Sequence, residues 1–365
     1  MPDHISSALD LLNKMNLLWI AIVFFALFFL VKFLCKTNIL LNINSLQYSG
    51  EQRVHEGEIP RIGGVLIYIT LILFSFYTSD PSLSHLLNLI LLSVLPMMVV
   101  TVKEDLFHNV GFKTRLIALI ISSFLLLSLV VESFPVVNHI PLISNLFDYP
   151  LFSFCFFMLC LVALANGSNF IDGMNGMFGF CMLGVLMSCL QLTSIVNDQF
   201  MAQYILLYAI PMILFLMLNF PLGKIFMGDS GAYLMALLVG VWAINFFSIY
   251  NSISSWNAGL IFFYPIIEVA YSFARKLTQK KSPFYPDREH LHLKVFDILN
   301  TVLNKPRLAN NLTTIFLAVF WLTPPLILPW VYDSQLWIVI ALVFLSFCYI
   351  TLNLVIPAKT VYAKD

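Results

Sequence analysis

The sequence has 365 residues, of which 60% are hydrophobic and only 10% are charged, and its formal net charge is +0. Soluble domains carry about 25% charged residues, so this composition excludes an ordinary water-soluble enzyme. The balanced charge gives no general attraction to nucleic acid, and we expect no nucleic-acid partner. We therefore predict an all-α integral membrane protein with one polytopic membrane domain over 1–365.

Apolar segments follow one another along almost the whole chain. A membrane-spanning helix needs about 20 mostly apolar residues. Several segments are shorter than this and need flanking residues to reach that length. We predict about eleven transmembrane helices. Their cores are 17–35, 62–76, 86–102, 116–131, 151–164, 177–192, 204–217, 233–247, 260–273, 312–331 and 336–356.

The basic residues predict the orientation, because Lys and Arg are retained on the cytoplasmic side. With the N-terminus outside and eleven crossings, Lys14 alone of the 19 Lys and Arg falls outside. The C-terminus is then cytoplasmic. The stretch 274–311 becomes a long cytoplasmic loop that we expect to contribute to the active site. The outer connections are short or chemically plain, so the inner connections should carry the chemistry.

The first two inner segments combine glycine, acidic and basic residues. HEGEIPRIGG at 55–64 has paired glycines, which allow close approach either to another helix or to a ligand. KEDLF at 103–107 places Glu104 beside Asp105. Adjacent carboxylates suit Mg²⁺, or a base, while a solvated loop with ordinary ion pairing explains them equally well.

Two further inner segments are rich in Asn, Asp and Gly. NGSNFIDGMNG at 166–176 carries Asn169, Asp172 and Asn175, whose groups can bind a uracil, sugar hydroxyls or a metal, although a turn also uses such residues. KIFMGDSG at 224–231 presents Asp229 between glycines at a predicted helix start. That arrangement can bind phosphate through backbone N–H groups and a cation, or simply cap the helix.

The fifth segment, SPFYPDREHLH at 282–292, contains Arg288, His290 and His292. Arg and His together make a site for a diphosphate or a lipid phosphate, whereas a basic cluster alone usually anchors a chain to anionic lipid. Upstream, Glu268 lies inside a predicted membrane helix, where an acid is costly and therefore a functional candidate.

These segments all fall on the predicted inner face, so four acids (Glu104, Asp105, Asp172 and Asp229) come together with basic side chains. We expect Arg61, Lys113 and Lys224 to contact substrate there. Carboxylates with bases fit metal-assisted phosphoryl transfer, in which the metal neutralises developing charge and basic groups hold the diphosphate. The competing class is a transporter, which would place ionisable residues near the membrane midplane.

In these five ordered motifs the sequence resembles the polyprenyl-phosphate N-acetylhexosamine-1-phosphate transferases, the family that includes WecA and MraY. The resemblance runs from about His55 to His292, and the PDREHLH segment is similar to the WecA-like branch. It implies an eleven-helix protein of the bacterial inner membrane with a cytoplasmic active site. It also implies a UDP-amino sugar donor, undecaprenyl phosphate as acceptor, UMP release, a Mg²⁺ or Mn²⁺ requirement, and compatibility with a homodimer.

The resemblance also implies roles for single residues. Asp229 is the principal metal ligand, Asp105 and Asp172 are further ligands, and Glu104 and Asp105 match an acidic pair that handles metal and acceptor phosphate. Asn169 and Asn175 lie near the nucleotide. Glu268, Arg288, His290 and His292 bind the donor.

Three positions depart from the family pattern: Glu104 and Glu268 replace Asp, and Leu293 replaces a His. These departures leave an inactive homologue as a further alternative.

Overall fold

The structure is a computed structural model that describes residues 17–36, 59–78, 80–137, 144–282 and 288–357. These ranges contain helices, a short 3-10 helix at Ser144–Asp148, and no strand. The α-helices are α1 (Leu17–Lys36), α2 (Gly63–Tyr77), α3 (Pro81–Phe107), α4 (Phe112–Leu129), α5 (Pro150–Phe170), α6 (Met177–Val196), α7 (Gln199–Asn219), α8 (Gly228–Ile249), α9 (Trp256–Ile261), α10 (Phe263–Thr278), α11 (Leu291–Leu303), α12 (Pro306–Phe316), α13 (Ala318–Val331) and α14 (Gln335–Val355).

Helices therefore occupy all eleven apolar segments, and the all-α class is confirmed. Eight helical stretches within the described ranges are long and apolar enough to cross a membrane, with α12 and α13 forming one of them, Pro306–Val331. Shorter apolar helical stretches lie in α1 and in α2. The count of about eleven spans and the outward N-terminus remain predictions.

The predicted helix at 260–273 is divided between α9 and α10, with the break at Phe262. Pro265 explains the break. A helix continuing from α9 would need an N–H at this position, and proline has none; in the first turn of a new helix the loss costs nothing. Glu268 thus lies in the second turn of α10, where it is only 1% exposed.

The core centres on α8, whose most apolar stretch is 89% buried. Helices α2, α3 and α5 pack around it. At its N-terminal end α8 touches α2 through glycines, and a Cβ placed on Gly64 would collide with the Gly231 backbone and lie 2.5 Å from the Ser230 hydroxyl. The paired glycines of the first motif therefore serve helix packing, and this close approach brings the residues before α2 onto the start of α8.

The predicted loop at 274–311 contains helical structure in its described part. It includes the end of α10, all of α11 and the start of α12. Residues 283–287, with the Pro and Asp of the fifth motif, lie outside the described residues, as do His55 to Glu58 of the first motif. Helix α11 is buried on all sides over its first six residues, Leu291 to Phe296, while Ile298 and Val302 in its second half are exposed.

Candidate functional site

Asp229, in the first turn of α8, is the centre of a buried polar cluster. Its Oδ1 accepts a hydrogen bond from Asn169 Nδ2 at 2.9 Å and pairs with Arg61 Nη2 at 2.9 Å. Its Oδ2 pairs with Arg115 in the first turn of α4. Only 6% of the Asp229 side chain is exposed, so the carboxylate is neutralised by protein groups on both oxygens.

Asp105, in the last turn of α3, binds the start of α8 directly. Its Oδ1 accepts from the Asp229 N–H and its Oδ2 from the Ser230 N–H, both at 2.9 Å. These N–H groups have no partner within their own helix, and a carboxylate at a helix N-terminus is favoured by the helix dipole. The backbone donors that the sequence suggested for a phosphate are therefore taken by Asp105.

A glycine is required between these two acids. Gly228 has φ 75°, in the left-handed region, and a Cβ there would lie 2.5 Å from Asp105 Oδ2. Any side chain would thus be strained and would also push Asp105 away from the helix start.

Asp172 lies in the turn between α5 and α6 and adds a third acid. Burial raises the pKa of its carboxyl to about 8; Asp105 and Asp229 also raise it, while Arg61 and the Gly228 N–H lower it. The electrostatic effect of Asp105 and Asp229 on the Asp172 carboxyl indicates that the three acids lie close together.

Backbone pairing explains why Arg61 reaches this site. The Phe226 N–H donates to Pro60 O, the Gly63 N–H to Phe226 O, and the Gly64 N–H to Met227 O, each at 3.0 Å. The first and fourth motifs therefore form a short ladder ahead of α2 and α8. Arg61 is held over the ladder with Nε 3.4 Å from Asp105 Oδ1.

The other predicted groups near Asp105 lie at the edge of the cluster. Glu104 Oε2 accepts from the Val110 N–H at 2.7 Å and so closes the turn between α3 and α4. Lys113 and Lys224 are exposed at this end of the helices. Of the adjacent acids, Asp105 binds within the cluster and Glu104 fixes the local turn.

Asn175, which the motif predicts to lie near the nucleotide, is bonded to α12. It is 2% exposed and is fastened to α12 by the Asn310 and Asn311 side-chain oxygens, at 2.8 and 3.1 Å, and by the Thr314 hydroxyl. Asn219, at the end of α7, accepts from the Gly176 N–H and donates to Ile225 O at 2.7 Å. Asn219 thereby joins the turn that carries Asp172 to the segment that carries Asp229.

A second buried cluster adjoins the first. Glu268 accepts hydrogen bonds from His290 Nδ1, at 2.8 Å, and from the Tyr349 hydroxyl of α14. His292 stacks on His290 with ring centroids 5.6 Å apart, and burial lowers the pKa of His292 to about 4 although Glu268 raises it. A Cβ on Gly173 would run into the His292 ring, so this cluster touches the turn that carries Asp172.

The remaining residues of the fifth motif are paired with neighbours in the described part of the loop. Arg288 donates to Asp297 of α11 at 3.2 Å, and Glu289 pairs with Arg275 at 3.0 Å. Helix α11 is tied to the last helix because the buried Lys294 ammonium donates to the side-chain and backbone oxygens of Asn353, both at 2.8 Å. The two histidines predicted to bind the donor are thus held at the start of α11 by contacts with α10, which is itself bonded to α14.

The cluster contains the donor chemistry that a hard divalent cation requires: three carboxylates and a carboxamide. Within the described ranges, no group of three or more His, Cys, Asp or Glu side chains has the arrangement of a metal-coordination site. The Asp229 oxygens instead contact Arg61 and Arg115. The residues therefore fit Mg²⁺ by type, provided that the two arginines leave Asp229.

Several residues of the two clusters were not among the site residues predicted from the sequence. They are Arg115, Asn219, Lys294, Tyr349 and Asn353. Asn219 and Asn353 are polar residues in the last turns of apolar helices, and such positions are a signal that a sequence offers. Tyr349 gives no such signal, since tyrosine is common in membrane helices.

Comparison of the sequence with known proteins finds a family model and several similar transferases. The model for "Glycosyl transferase family 4" matches residues 87–247, which include Asp105, Asp172 and Asp229. An undecaprenyl-phosphate alpha-N-acetylglucosaminyl 1-phosphate transferase of Thermotoga maritima is 26% identical over 242 residues, which cover 66% of this chain and 69% of that protein. A decaprenyl-phosphate N-acetylglucosaminephosphotransferase of Mycobacterium leprae is 24% identical over 290 residues, covering 70% and 71%.

Proposed function

We propose, from the premise that this chain belongs to glycosyl transferase family 4, that it transfers an amino-sugar 1-phosphate from a UDP-sugar to undecaprenyl phosphate. The products are UMP and undecaprenyl-diphosphate-sugar. This would be the first membrane step of a cell-surface glycan pathway in the bacterial inner membrane.

One observation carries the proposal: three acids and two arginines lie together at one end of the helices. They are Asp105, Asp172, Asp229, Arg61 and Arg115. Phosphoryl transfer between two phosphates requires that negative charge be neutralised and that both reactants be held in line. Guanidinium groups bind phosphate oxygens in pairs, and carboxylates bind the hard cations that accompany a diphosphate.

Asp105, Asp172 and Asp229, with Asn169, would hold Mg²⁺ or Mn²⁺ there, and the bound cation would neutralise charge on the donor diphosphate. The lipid phosphate needs little help from a base, because a phosphate monoester is already largely dianionic near neutral pH. The protein then contributes by positioning the two reactants and by neutralising the negative charge of their phosphates. Arg61 and Arg115 serve the phosphates, and the His290 and His292 cluster lies beside the same turn to receive the rest of the donor.

The test is release of UMP by purified protein supplied with undecaprenyl phosphate, Mg²⁺ and a panel of UDP-amino sugars. Asp229→Asn keeps the side-chain shape but removes the charge, and we expect activity to fall by at least about 10³-fold. Asp80→Asn is the matched control, since Asp80 caps α3 at its other end and Asn caps nearly as well. Full activity of Asp229→Asn would refute the role given to this cluster.

The cytoplasmic position of the site is a separate proposal. Lys224 is the exposed first residue of the fourth motif, so a Lys224→Cys variant should react in intact cells only with a thiol reagent that crosses the membrane. Reaction with an impermeant reagent would place the site outside.

A further inference from the structure

Both oxygens of the Asp229 carboxylate are occupied by arginines. Arg61 Nη2 lies 2.9 Å from Oδ1, and Arg115 Nη1 pairs with Oδ2. The Asp229 side chain is 6% exposed, whereas the Arg61 and Arg115 side chains are 30% and 23% exposed. The acid is therefore enclosed, and each base reaches it from the surface.

We propose that Arg61 and Arg115 are internal counter-ions that occupy the cation position on Asp229 until substrate arrives, and that their guanidinium groups then move to the donor diphosphate. This inference rests on the proposed function. It gives both arginines, which the proposed function assigns to the phosphates, a second and competing role toward the cation.

The charges of the acidic cluster explain why such counter-ions are needed. The buried carboxylates of Asp105 and Asp229 lie beside Asp172, and like charges at this range repel one another. The positive charges of Arg61 and Arg115 offset this repulsion. When a cation replaces them on Asp229, the two guanidinium groups can bind the donor diphosphate, because a guanidinium fork matches the geometry of phosphate oxygens.

The two arginines can make this move because their backbones are fixed while their side chains are long and partly hydrated. The ladder between Pro60 and Phe226 fixes the backbone of Arg61, and the first turn of α4 fixes that of Arg115. Exchange therefore requires rotation of side chains at the surface of the cluster, with no displacement of a helix.

The inference predicts two effects of opposite sign for one substitution. Arg115→Gln removes a competitor from Asp229, so cation affinity should rise by about tenfold. The same substitution removes a phosphate ligand, so kcat/KM for the UDP-sugar should fall by about 10²-fold or more. A residue with a merely structural role would weaken both properties together.

The experiment measures Mn²⁺ binding by electron paramagnetic resonance on purified full-length protein without substrate, with transfer activity measured in parallel. The variants are Arg115→Gln, Arg61→Gln, and Arg115→Gln combined with Asp229→Asn, which should abolish the gain. Lys103→Gln is the charge-matched control, because Lys103 is an exposed base near Asp105 at the end of α3. Thermal unfolding identifies any variant that fails to fold, and Arg61→Gln then provides the same test.

Tighter Mn²⁺ binding by either arginine variant, with lost transfer and an unchanged Lys103→Gln control, supports the exchange. Unchanged or weaker Mn²⁺ binding by both folded arginine variants overturns it. If the wild-type protein transfers sugar phosphate and the arginine variants bind Mn²⁺ no more tightly, the arginine exchange is refuted while the proposed reaction stands. If wild-type protein transfers nothing but the arginine variants gain Mn²⁺ affinity, the proposed reaction fails and the counter-ion role stands.

Discussion

The adjacent acids at the end of α3 offer a sharp test of how the site is built. Asp105 binds two backbone N–H groups with its two oxygens, whereas Glu104 binds one with a single oxygen. The sequence treats them as a pair. The structure predicts that replacing each by its amide will have very different effects on stability.

In Asp105→Asn one oxygen can still accept a hydrogen bond, but the new NH₂ group must face the other N–H. A hydrogen bond to a charged group is worth about 1.5–3 kcal/mol, and a buried N–H left without a partner costs about 1–3 kcal/mol. Asp105 is 5% exposed, so water cannot replace the lost acceptor. We expect a loss of about 3 kcal/mol. Glu104→Gln keeps an oxygen for Val110 and should cost less than about 1 kcal/mol.

The assay is thermal unfolding of the two purified variants and wild type in the same detergent, followed by tryptophan fluorescence. The midpoint should drop clearly for Asp105→Asn and barely for Glu104→Gln. Equal drops, or a larger drop for Glu104→Gln, would show that the start of α8 does not depend on Asp105. The measurement needs no substrate or cation, so it tests the architecture separately from the reaction.

Two further predictions concern packing and the second cluster. Gly64→Ala should destabilise the protein by about 3 kcal/mol or more, because its Cβ would collide with backbone. The Cβ of Gly111→Ala meets nothing within 4 Å, so this variant should lose only the N-cap preference for glycine at the start of α4, about 1 kcal/mol or less, in the same unfolding assay. Tyr349→Phe removes a hydrogen bond to the buried Glu268 and should reduce kcat/KM for the donor about tenfold with little change in KM for the lipid acceptor, while Tyr332→Phe serves as the control. Equal changes for both substrates after Tyr349→Phe would contradict its action through the donor cluster.

The comparison of prediction with structure is clearest at the apolar segments. Hydrophobic runs locate helices well because a helix in lipid must bury its own backbone polar groups, and this requirement is local. It predicted helices in all eleven segments. It did not predict the division at Phe262, because Pro265 permits either a kinked helix or a new helix start, and packing selects between them.

The site residues show the same limit. Asp105, Asp172, Asp229 and Asn169 were identified from motifs, since acids and amides at the ends of apolar helices are costly without a role. Asn175 was assigned to substrate from the same motif, yet its side chain is fastened to α12, more than 130 residues later in the chain. No local pattern encodes that partner.

The sequence by itself determined the membrane class, the helical segments and the chemistry of the acidic cluster, because composition, periodicity and residue type act locally. The tertiary structure alone decided which groups meet. It paired Arg115 with Asp229, bonded Asp105 to the backbone N–H groups at the start of α8, and bonded the Tyr349 hydroxyl to Glu268. These pairings depend on the close approach of helices distant in sequence, which in the case of α2 and α8 is possible because Gly64 and Gly231 leave no side chain between them.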